Sequence, residues 1–273
     1  MEKYSVLMSV WQKEKPEYLR QSISSMMEQT VRPDEMVIVE DGPLPSPLYA
    51  VLNECRQRYA SVKMQTIRLK TNRGLGHALN IGLRHCSNEL VARMDSDDIS
   101  RPDRCEKQLA CFARNQNLAV VGTQICEFVK EPGEYIPSRI VPVYQEEILK
   151  FARRRSPFNH PTVMYKKSKV LSCGGYGLAK RKEDLELFLT MLYRGYEAEN
   201  TKEALLFYRA DAENLKRRKK WQNCQEYIGI IYKFYRLGFS SVWDFIYVLC
   251  GQTAMYLLPE KITQELNRKF LRK

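Results

Sequence analysis

The chain has 273 residues, 44% hydrophobic and 11% aromatic, enough to bury a full core as one large α/β domain with an appendage or as two small domains. Its formal net charge of +12 points to an anionic partner, whether nucleic acid, an acidic membrane leaflet or phosphorylated substrates. Eight cysteines, at 55, 86, 105, 111, 126, 173, 224 and 250, include no C-x-x-C pair, which removes a zinc cluster or a disulfide framework and fits reduced, packed thiols in the cytosol.

In chain order, short apolar runs at 4–10, 35–40, 62–69, 90–94 and 119–128 predict strands. The periodic runs between them predict helices over 16–27, 77–86 and 101–113, the first with Pro16 at its start and Leu19, Ile23, Met26 and Met27 at helical spacing. This alternation implies β-α units around a mostly parallel sheet. No internal repeat or low-complexity segment interrupts it. From Asp211 onward the pattern turns helical, over 212–235, 241–257 and 259–271, with Gly238 and Pro259 as breaks and basic clusters at 216–220 and 268–273. The first apolar run, Tyr4 to Trp11, is too short and too quickly met by charge to be a secretory signal, so no export is expected. The apolar stretch 245–258 falls short of the roughly 20 residues that span a bilayer and is expected to lie on a membrane at most.

Parallel α/β sheets bind ligands beyond the carboxyl ends of their strands, so the polar residues that follow each strand are the candidates. These are Ser9-Val10-Trp11, Glu40-Asp41-Gly42, Thr71-Asn72-Arg73-Gly74-Leu75-Gly76 and Asp95-Ser96-Asp97-Asp98. The acids of the last group repel one another unless a cation or hydrogen-bond donors compensate them, and their hard oxygens suit Mg²⁺ or Mn²⁺. The alternative is an acidic turn capping the helix that begins near Arg101-Pro102. Gly74 and Gly76 make a poor dinucleotide fingerprint, because Leu79 stands at the third glycine position and the glycines follow the third strand. They form either a plain helix-entry turn or a loop whose backbone, with Asn72 and Arg73, approaches a nucleotide-sugar.

Taken together, Ser5-Val6-Leu7-Met8-Ser9-Val10, Val37-Ile38-Val39-Glu40-Asp41-Gly42, Asn72-Arg73-Gly74-Leu75-Gly76-His77-Ala78-Leu79-Asn80-Ile81-Gly82 and Met94-Asp95-Ser96-Asp97-Asp98 resemble, in the right order, family 2 glycosyltransferases of the bacterial surface-polysaccharide type. The resemblance implies a GT-A fold, with a catalytic domain over 1–210, and leaves 211–273 as a helical appendage. Residues 1–100 would be the nucleotide-binding half of that domain and 101–210 the acceptor half. It implies a donor side formed by Ser9, Val10, Trp11, Glu40, Asp41, Asn72, Arg73, Gly76, Asn80, Asp95 and Ser96. On that side Asp41, with Glu40, holds the base, Asp95 the ribose or metal, and Asp97 the metal, either Mn²⁺ or Mg²⁺. Glu40 departs from the family, which commonly has Asp there. Asp98 is expected to support or cap, not to react.

The family's second half offers a general base in an acidic pair at a helix start, which Lys182-Glu183-Asp184-Leu185-Glu186 resembles. Asp184 is the expected base, with Glu183 beside it, because a helix N-terminus stabilises a carboxylate as the anion. A base opposite the leaving nucleotide implies single displacement with inversion. His160 in Asn159-His160-Pro161, and Gly174 and Gly175 before Tyr176, match elements of the bacterial branch and fall on the acceptor or diphosphate side.

Ten basic residues lie between 150 and 182 with no acid among them, at Lys150, Arg153, Arg154, Arg155, Lys166, Lys167, Lys169, Lys180, Arg181 and Lys182. They are either a solvated basic face or the lining of an anionic acceptor. The aromatic, basic C-terminal helices fit docking on an anionic leaflet, the competing occupant being the catalytic core or a second subunit in an oligomer. The expected partners are therefore a nucleotide-sugar, UDP-linked by preference, a lipid-diphosphate-linked saccharide acceptor and the inner face of the cell membrane. No nucleic acid is expected, since nucleic-acid binding gives no reason for the acidic cluster. A sugar nucleotidyltransferase would be expected to show a glycine-rich basic loop after the first strand, where Trp11-Gln12-Lys13 stands instead.

Overall fold

Three strands, β1 (Tyr4–Val10), β2 (Glu35–Glu40) and β4 (Leu90–Met94), are covered on both faces, which is why their sequences run apolar instead of alternating. The computed structural model of the protein describes residues 2–129, 132–133, 139–177, 182–210 and 221–258. β3 (Lys63–Arg68) is only half-covered and forms one edge. These four pair in parallel in the order β3-β2-β1-β4. Beyond β4 the sheet continues through β7 (Met164–Lys166), β6 (Leu118–Phe128), β8 (Glu197–Arg209) and the two-residue β5 (Ile99–Ser100). The β4–β7, β6–β7 and β5–β8 pairs are antiparallel, and β6–β8 is parallel. One sheet of eight strands thus runs through both expected halves.

Period-two alternation along β1 sends Val6 and Met8 to one core and Leu7 to the other. On the first face lie α1 (Pro16–Met27), α2 (Ser46–Arg58) and α4 (Arg104–Arg114), whose Leu19, Ile23, Leu52 and Phe112 join the Val6 cluster. On the second lie α3 (Leu75–His85) and α7 (Glu183–Tyr193), through Leu79, Leu83, Leu187 and Phe188. α3 rides close to the sheet at Gly82, where a Cβ would stand 2.4 Å from Leu7 Cδ1 and 2.7 Å from Val39 Cγ2. The sequence hid α2, whose start is a proline-rich stretch that reads as loop; Pro at the first helical positions is compatible with a helix all the same. α5 (Gln145–Ala152), the 3-10 turn His160–Thr162, β7, α6 (Lys167–Ser172) and β8 were likewise not anticipated.

Two helices close the described chain. α8 (Trp221–Arg236) buries Ile230, Ile231 and Phe234 in the second core, with the Phe234 ring 6.3 Å from that of Tyr193 on α7. α9 (Val242–Leu257) buries only Asp244 and Val248. The C-terminal region is thus anchored on the second core through α8, while most of α9 faces outward. The first part of the helix expected over 212–235, the helix over 259–271 and the basic clusters at 216–220 and 268–273 lie outside the described residues. Among the described residues, no helix is long and apolar enough to cross a membrane. All eight cysteines are free and most are buried.

The basic run between 150 and 182 does not form one surface. Lys166 stands opposite Leu90, the first residue of β4, and Lys167 Nζ donates to Cys86 O at 2.8 Å, so both lie at the sheet end remote from Asp95. The arginines at 153–155 instead follow α5, and Lys180 and Arg181 lie outside the described residues.

Candidate active site

The chain winds outward from β1 to β2 to β3 and returns with β4 on the other side of β1, so strand order reverses between β1 and β4. At such a switch point the loops diverge and leave a crevice beyond the carboxyl ends of the strands. Asp95, Asp97 and Asp98 follow β4 directly into it, each with a carboxylate oxygen within 4.8 Å of the others'.

This turn is held from several sides. Ser22 Oγ on α1 donates to Asp95 O at 2.6 Å, and the buried Arg93 guanidinium donates to Asp95 Oδ1. From the end of β8, the Arg209 backbone N–H donates to Asp98 Oδ1 at 2.9 Å and its Nε donates to Asp97 O at 2.9 Å. The Arg209 side chain also lies 3.6 Å over the Tyr18 ring and donates to Gln21 Oε1 at 2.9 Å. Ser96 Oγ donates to the Glu14 carboxylate, tying the turn to the loop after β1. Asp98 therefore caps no helix; α4 begins at Arg104 after Asp103, and Asp98 serves β8.

The acids are crowded. Burial, then the charges of Asp95 and Glu14, push the Asp97 carboxyl up to about 7, and burial with Asp97 raises Asp98. Asp98 Oδ2 is buried without a hydrogen-bond partner. A compact set of hard oxygens with too little compensating charge fits a divalent cation of the Mg²⁺ or Mn²⁺ class. Glu14, Arg93 and Arg209 were missed by sequence reading. Glu14 follows β1, at a strand end of the kind that binds ligands, and Arg93 is a charge inside an otherwise apolar strand, so both carry a signal in the sequence. Arg209 left none.

Arg209→Ala is expected to lower stability by about 2–3 kcal/mol in urea unfolding, because hydrogen bonds made by a buried charged group are worth roughly that much and Asp97 O and Gln21 lose their donor. An unchanged midpoint would show that the turn does not depend on β8.

One strand over, Asp41 organises the loop that leads into α3. Its Oδ1 accepts Arg73 N–H at 2.8 Å and its Oδ2 accepts Gly74 N–H at 3.0 Å, while Asn72 Nδ2 donates to Asp41 O at 3.2 Å. Gly42 has φ +91, and a Cβ there would stand 2.9 Å from Asn72 N, so this junction requires glycine. Glu40 is buried, with Arg68 donating to Oε1 at 3.3 Å and with Oε2 unpartnered. Of the two acids, Glu40 therefore keeps an unengaged oxygen and Asp41 does not. Val10 places its side chain in the core and accepts Asp41 N–H through its carbonyl, whereas Trp11 is 36% exposed at the mouth of the β1 loop.

Gly76 lies at a close contact between two helices. A Cβ there would meet Glu183 Cβ at 3.0 Å and Gly177 O at 3.2 Å, so the bare glycine lets the start of α3 touch the start of α7. Asn80, expected on the donor side, clamps the backbone of Tyr176 after Gly174 and Gly175. Its Oδ1 accepts Tyr176 N–H at 2.7 Å and its Nδ2 donates to Tyr176 O at 3.0 Å. Gly174 and Gly175 both have positive φ, and a Cβ on Gly175 would lie 2.3 Å from Asn80 Oδ1. The Tyr176 hydroxyl and His160 Nε2 are hydrogen-bonded at 3.1 Å, and the His160 ring packs beside Phe188. Burial, reinforced by Arg93, keeps the His160 pKa well below its ordinary value, so the ring is neutral. Among the described residues, His160 is not part of the group that could share a metal ion.

Glu183 and Asp184 open α7. Glu183 is 5% exposed, and its Oε2 has no partner. Burial, then the charge of Asp184, push its carboxyl up to about 8. The pair is thus split into a neutral buried acid and a more exposed Asp184, the arrangement that separates a supporting acid from a proton acceptor.

Comparison with known proteins gives these geometries a context. Residues 5–176 match the sequence model of glycosyl transferase family 2. The chain is 36% identical over 271 residues to the UDP-Gal:alpha-D-GlcNAc-diphosphoundecaprenol beta-1,3-galactosyltransferase of Escherichia coli, covering 99% of this chain and 97% of that protein. It is 35% identical over 272 residues to the amylovoran biosynthesis glycosyltransferase AmsE of Erwinia amylovora, covering 97% of this chain and 98% of that one. Among solved structures, the mannosyltransferase PcManGT from Pyrobaculum calidifontis, in complex with GDP-Man and Mn²⁺, superposes with a TM-score of 0.66 at 14% identity, covering 98% of this chain and 75% of that chain.

Proposed function

The chain belongs to glycosyl transferase family 2, and from that premise we propose that it is an inverting hexosyltransferase. In this reading it moves a sugar from a UDP-linked donor to a lipid-diphosphate-linked saccharide during assembly of a bacterial surface polysaccharide, an O-antigen or capsule. The donor is UDP-galactose, UDP-glucose or a UDP-N-acetylhexosamine. The observation that carries the reading is the acidic turn at the β1/β4 switch point combined with the acidic pair of α7, which the Gly76–Glu183 contact brings against the donor-side loop.

Each group takes one part of the task. Glu40 and the Asp41-organised loop of Asn72 and Arg73 receive the nucleotide, with Ser9 and Trp11 at the rim and Ser96 fixing the turn through Glu14. Asp95 and Asp97 would hold the divalent ion, which when bound offsets negative charge on the departing diphosphate. Asp184 accepts the proton of the attacking acceptor hydroxyl, and Glu183, neutral at its base, keeps a second negative charge away from it. Glycines 174 and 175, clamped by Asn80, set the acceptor loop, and His160 supports that loop through Tyr176. Residues 1–210 form the catalytic unit, with 1–100 its nucleotide half, 101–210 its acceptor half and 211–273 a helical region. The protein works in the cytoplasm at the inner face of the cell membrane, where a lipid-linked acceptor presents its saccharide.

Attack from the side opposite the leaving group inverts the anomeric carbon. With an α-linked UDP-hexose and a synthetic GlcNAc-diphosphate lipid, proton NMR of the product is expected to show only a β-linkage. An α-linked product would contradict the single-displacement assignment.

A further inference from the structure

α9 presents a surface that the rest of the described fold leaves uncovered. After Asp244 it carries no charged side chain, and a helix apolar on all sides is ordinarily buried. Yet Val242, Trp243, Ile246, Tyr247 and Leu257 fall on one side of the helix with exposures of 44%, 73%, 40%, 62% and 71%. At 16 residues, or roughly 24 Å, it is too short to cross a bilayer.

Cations border this arc. The end of α5 contributes Lys150, Arg153, Arg154 and Arg155 to a cleft of about 610 Å³ whose other wall includes Asp244 and Tyr247. Arg154 joins the two elements, donating through Nε to Asp244 Oδ1 and lying 4.8 Å over the Tyr247 ring. The Tyr227 and Ser240 hydroxyls donate to the backbone carbonyls of Arg154 and Arg153 at 2.9 and 3.0 Å, so arc and cleft are held together. Asp244 is engaged by Arg154 and by Ser241, which leaves Glu147 as the other acid on the cleft wall against exposed Lys150 and Arg153.

We propose that the α9 arc and the α5 cationic cleft together dock the protein on an anionic phospholipid leaflet. Trp243 and Tyr247 sit at headgroup depth, Val242, Ile246 and Leu257 enter the acyl boundary, and Lys150 and Arg153 meet lipid phosphates. Charge selects this occupant. A second copy seated symmetrically on the same face would bring two cationic clefts together, whereas an anionic leaflet complements both the apolar arc and its basic border. The inference is independent of the donor, metal and base assignments.

The test is co-sedimentation of the full chain with phosphatidylcholine vesicles, with and without phosphatidylglycerol. The wild type is expected to bind the anionic vesicles and to release them in high salt. Lys150→Ala and Arg153→Ala should each weaken that binding about fivefold. The double variant Trp243→Glu/Ile246→Glu should weaken it roughly tenfold or more, with Leu257→Glu at the far end of the arc as an independent variant. All five positions replaced by Glu or Ala are exposed, and an unchanged thermal unfolding midpoint checks that the variants fold. Binding by the Trp243→Glu/Ile246→Glu and Leu257→Glu variants equal to wild type would overturn the proposal. So would a wild type that ignores both vesicle compositions, including the case of a dimer in sedimentation velocity that Trp243→Glu dissociates.

Discussion

Asp97→Ala is expected to reduce sugar transfer by about 10³-fold or more and to remove the metal-dependent part of donor binding. The expectation rests on the turn's geometry. Asp98 has one oxygen on the Arg209 N–H, and Asp95 has one on the Arg93 guanidinium, whereas the clamp that Arg209 places on Asp97 falls on its backbone carbonyl. The Asp97 carboxylate is thus the member of the cluster that the clamps leave to a ligand. Its removal should not cost the metal-free protein stability, because the three carboxylates lie within 4.8 Å of one another and losing one relieves repulsion. The unfolding temperature without metal is therefore expected to stay level or rise while activity collapses, a separation common where a site is built for function at the expense of stability. Transfer at wild-type rate by Asp97→Ala would remove the residue from the metal site.

Asp184→Asn is expected to lower kcat by about 10²–10⁴-fold with donor affinity nearly intact, the range lost when a general base is removed. Asn keeps the shape and hydrogen-bonding capacity of the side chain but cannot take a proton. The neighbouring Glu183 should respond in the opposite way. Burial and the Asp184 charge carry its carboxyl from the ordinary 4.5 up to about 8, so near neutrality it is already largely protonated and Glu183→Gln reproduces that form. Activity at neutral pH should survive this change. Because the folded-state value lies above the unfolded one, the contribution of Glu183 to wild-type stability is fully present below about 4.5 and is lost progressively as pH rises through about 8. The Glu183→Gln variant lacks that decline and should be the more stable protein under alkaline conditions in urea unfolding followed against pH. A wild type and a Glu183→Gln variant with parallel pH profiles would mean that the carboxyl is ionised in the folded state after all.

Sequence reading located most of the β1–β4 frame because the physics there is local. β1, β2 and β4 are buried on both faces and bounded by polar turns, and α1 is opened by Pro16, so their limits are visible in the residues themselves. The same locality placed Asp41 and Asp95 to Asp98 at strand ends. What escaped depends on partners distant in sequence. Arg209 reaches Asp98 across 111 positions, and Asn80 reaches Tyr176 across 96, so no window around either residue contains its reason. Asn80 shows the consequence. Its neighbourhood in the Gly74 to Gly82 segment gives no sign that its carboxamide holds the Tyr176 backbone. The lysines at 166, 167 and 169 show another limit. Charge density along the chain suggested one basic surface, but β7 runs antiparallel to β4 and carries Lys166 to the opposite end of the sheet. Glu183 was placed correctly at a helix start, yet its pairing with Gly76 could not be read, because it requires α3 and α7 to meet on the same face of the sheet.

Thermal unfolding of the wild type and of Asp97→Ala with UDP-hexoses, each with and without Mn²⁺, tests the metal-dependent donor site most directly. At about a hundredfold excess of donor over Kd, binding to the native state is expected to raise the wild-type midpoint by roughly 5 °C with Mn²⁺ present. Little shift is expected without the metal, and none beyond that in Asp97→Ala. A donor-induced shift of equal size in both proteins, with or without Mn²⁺, would contradict the account.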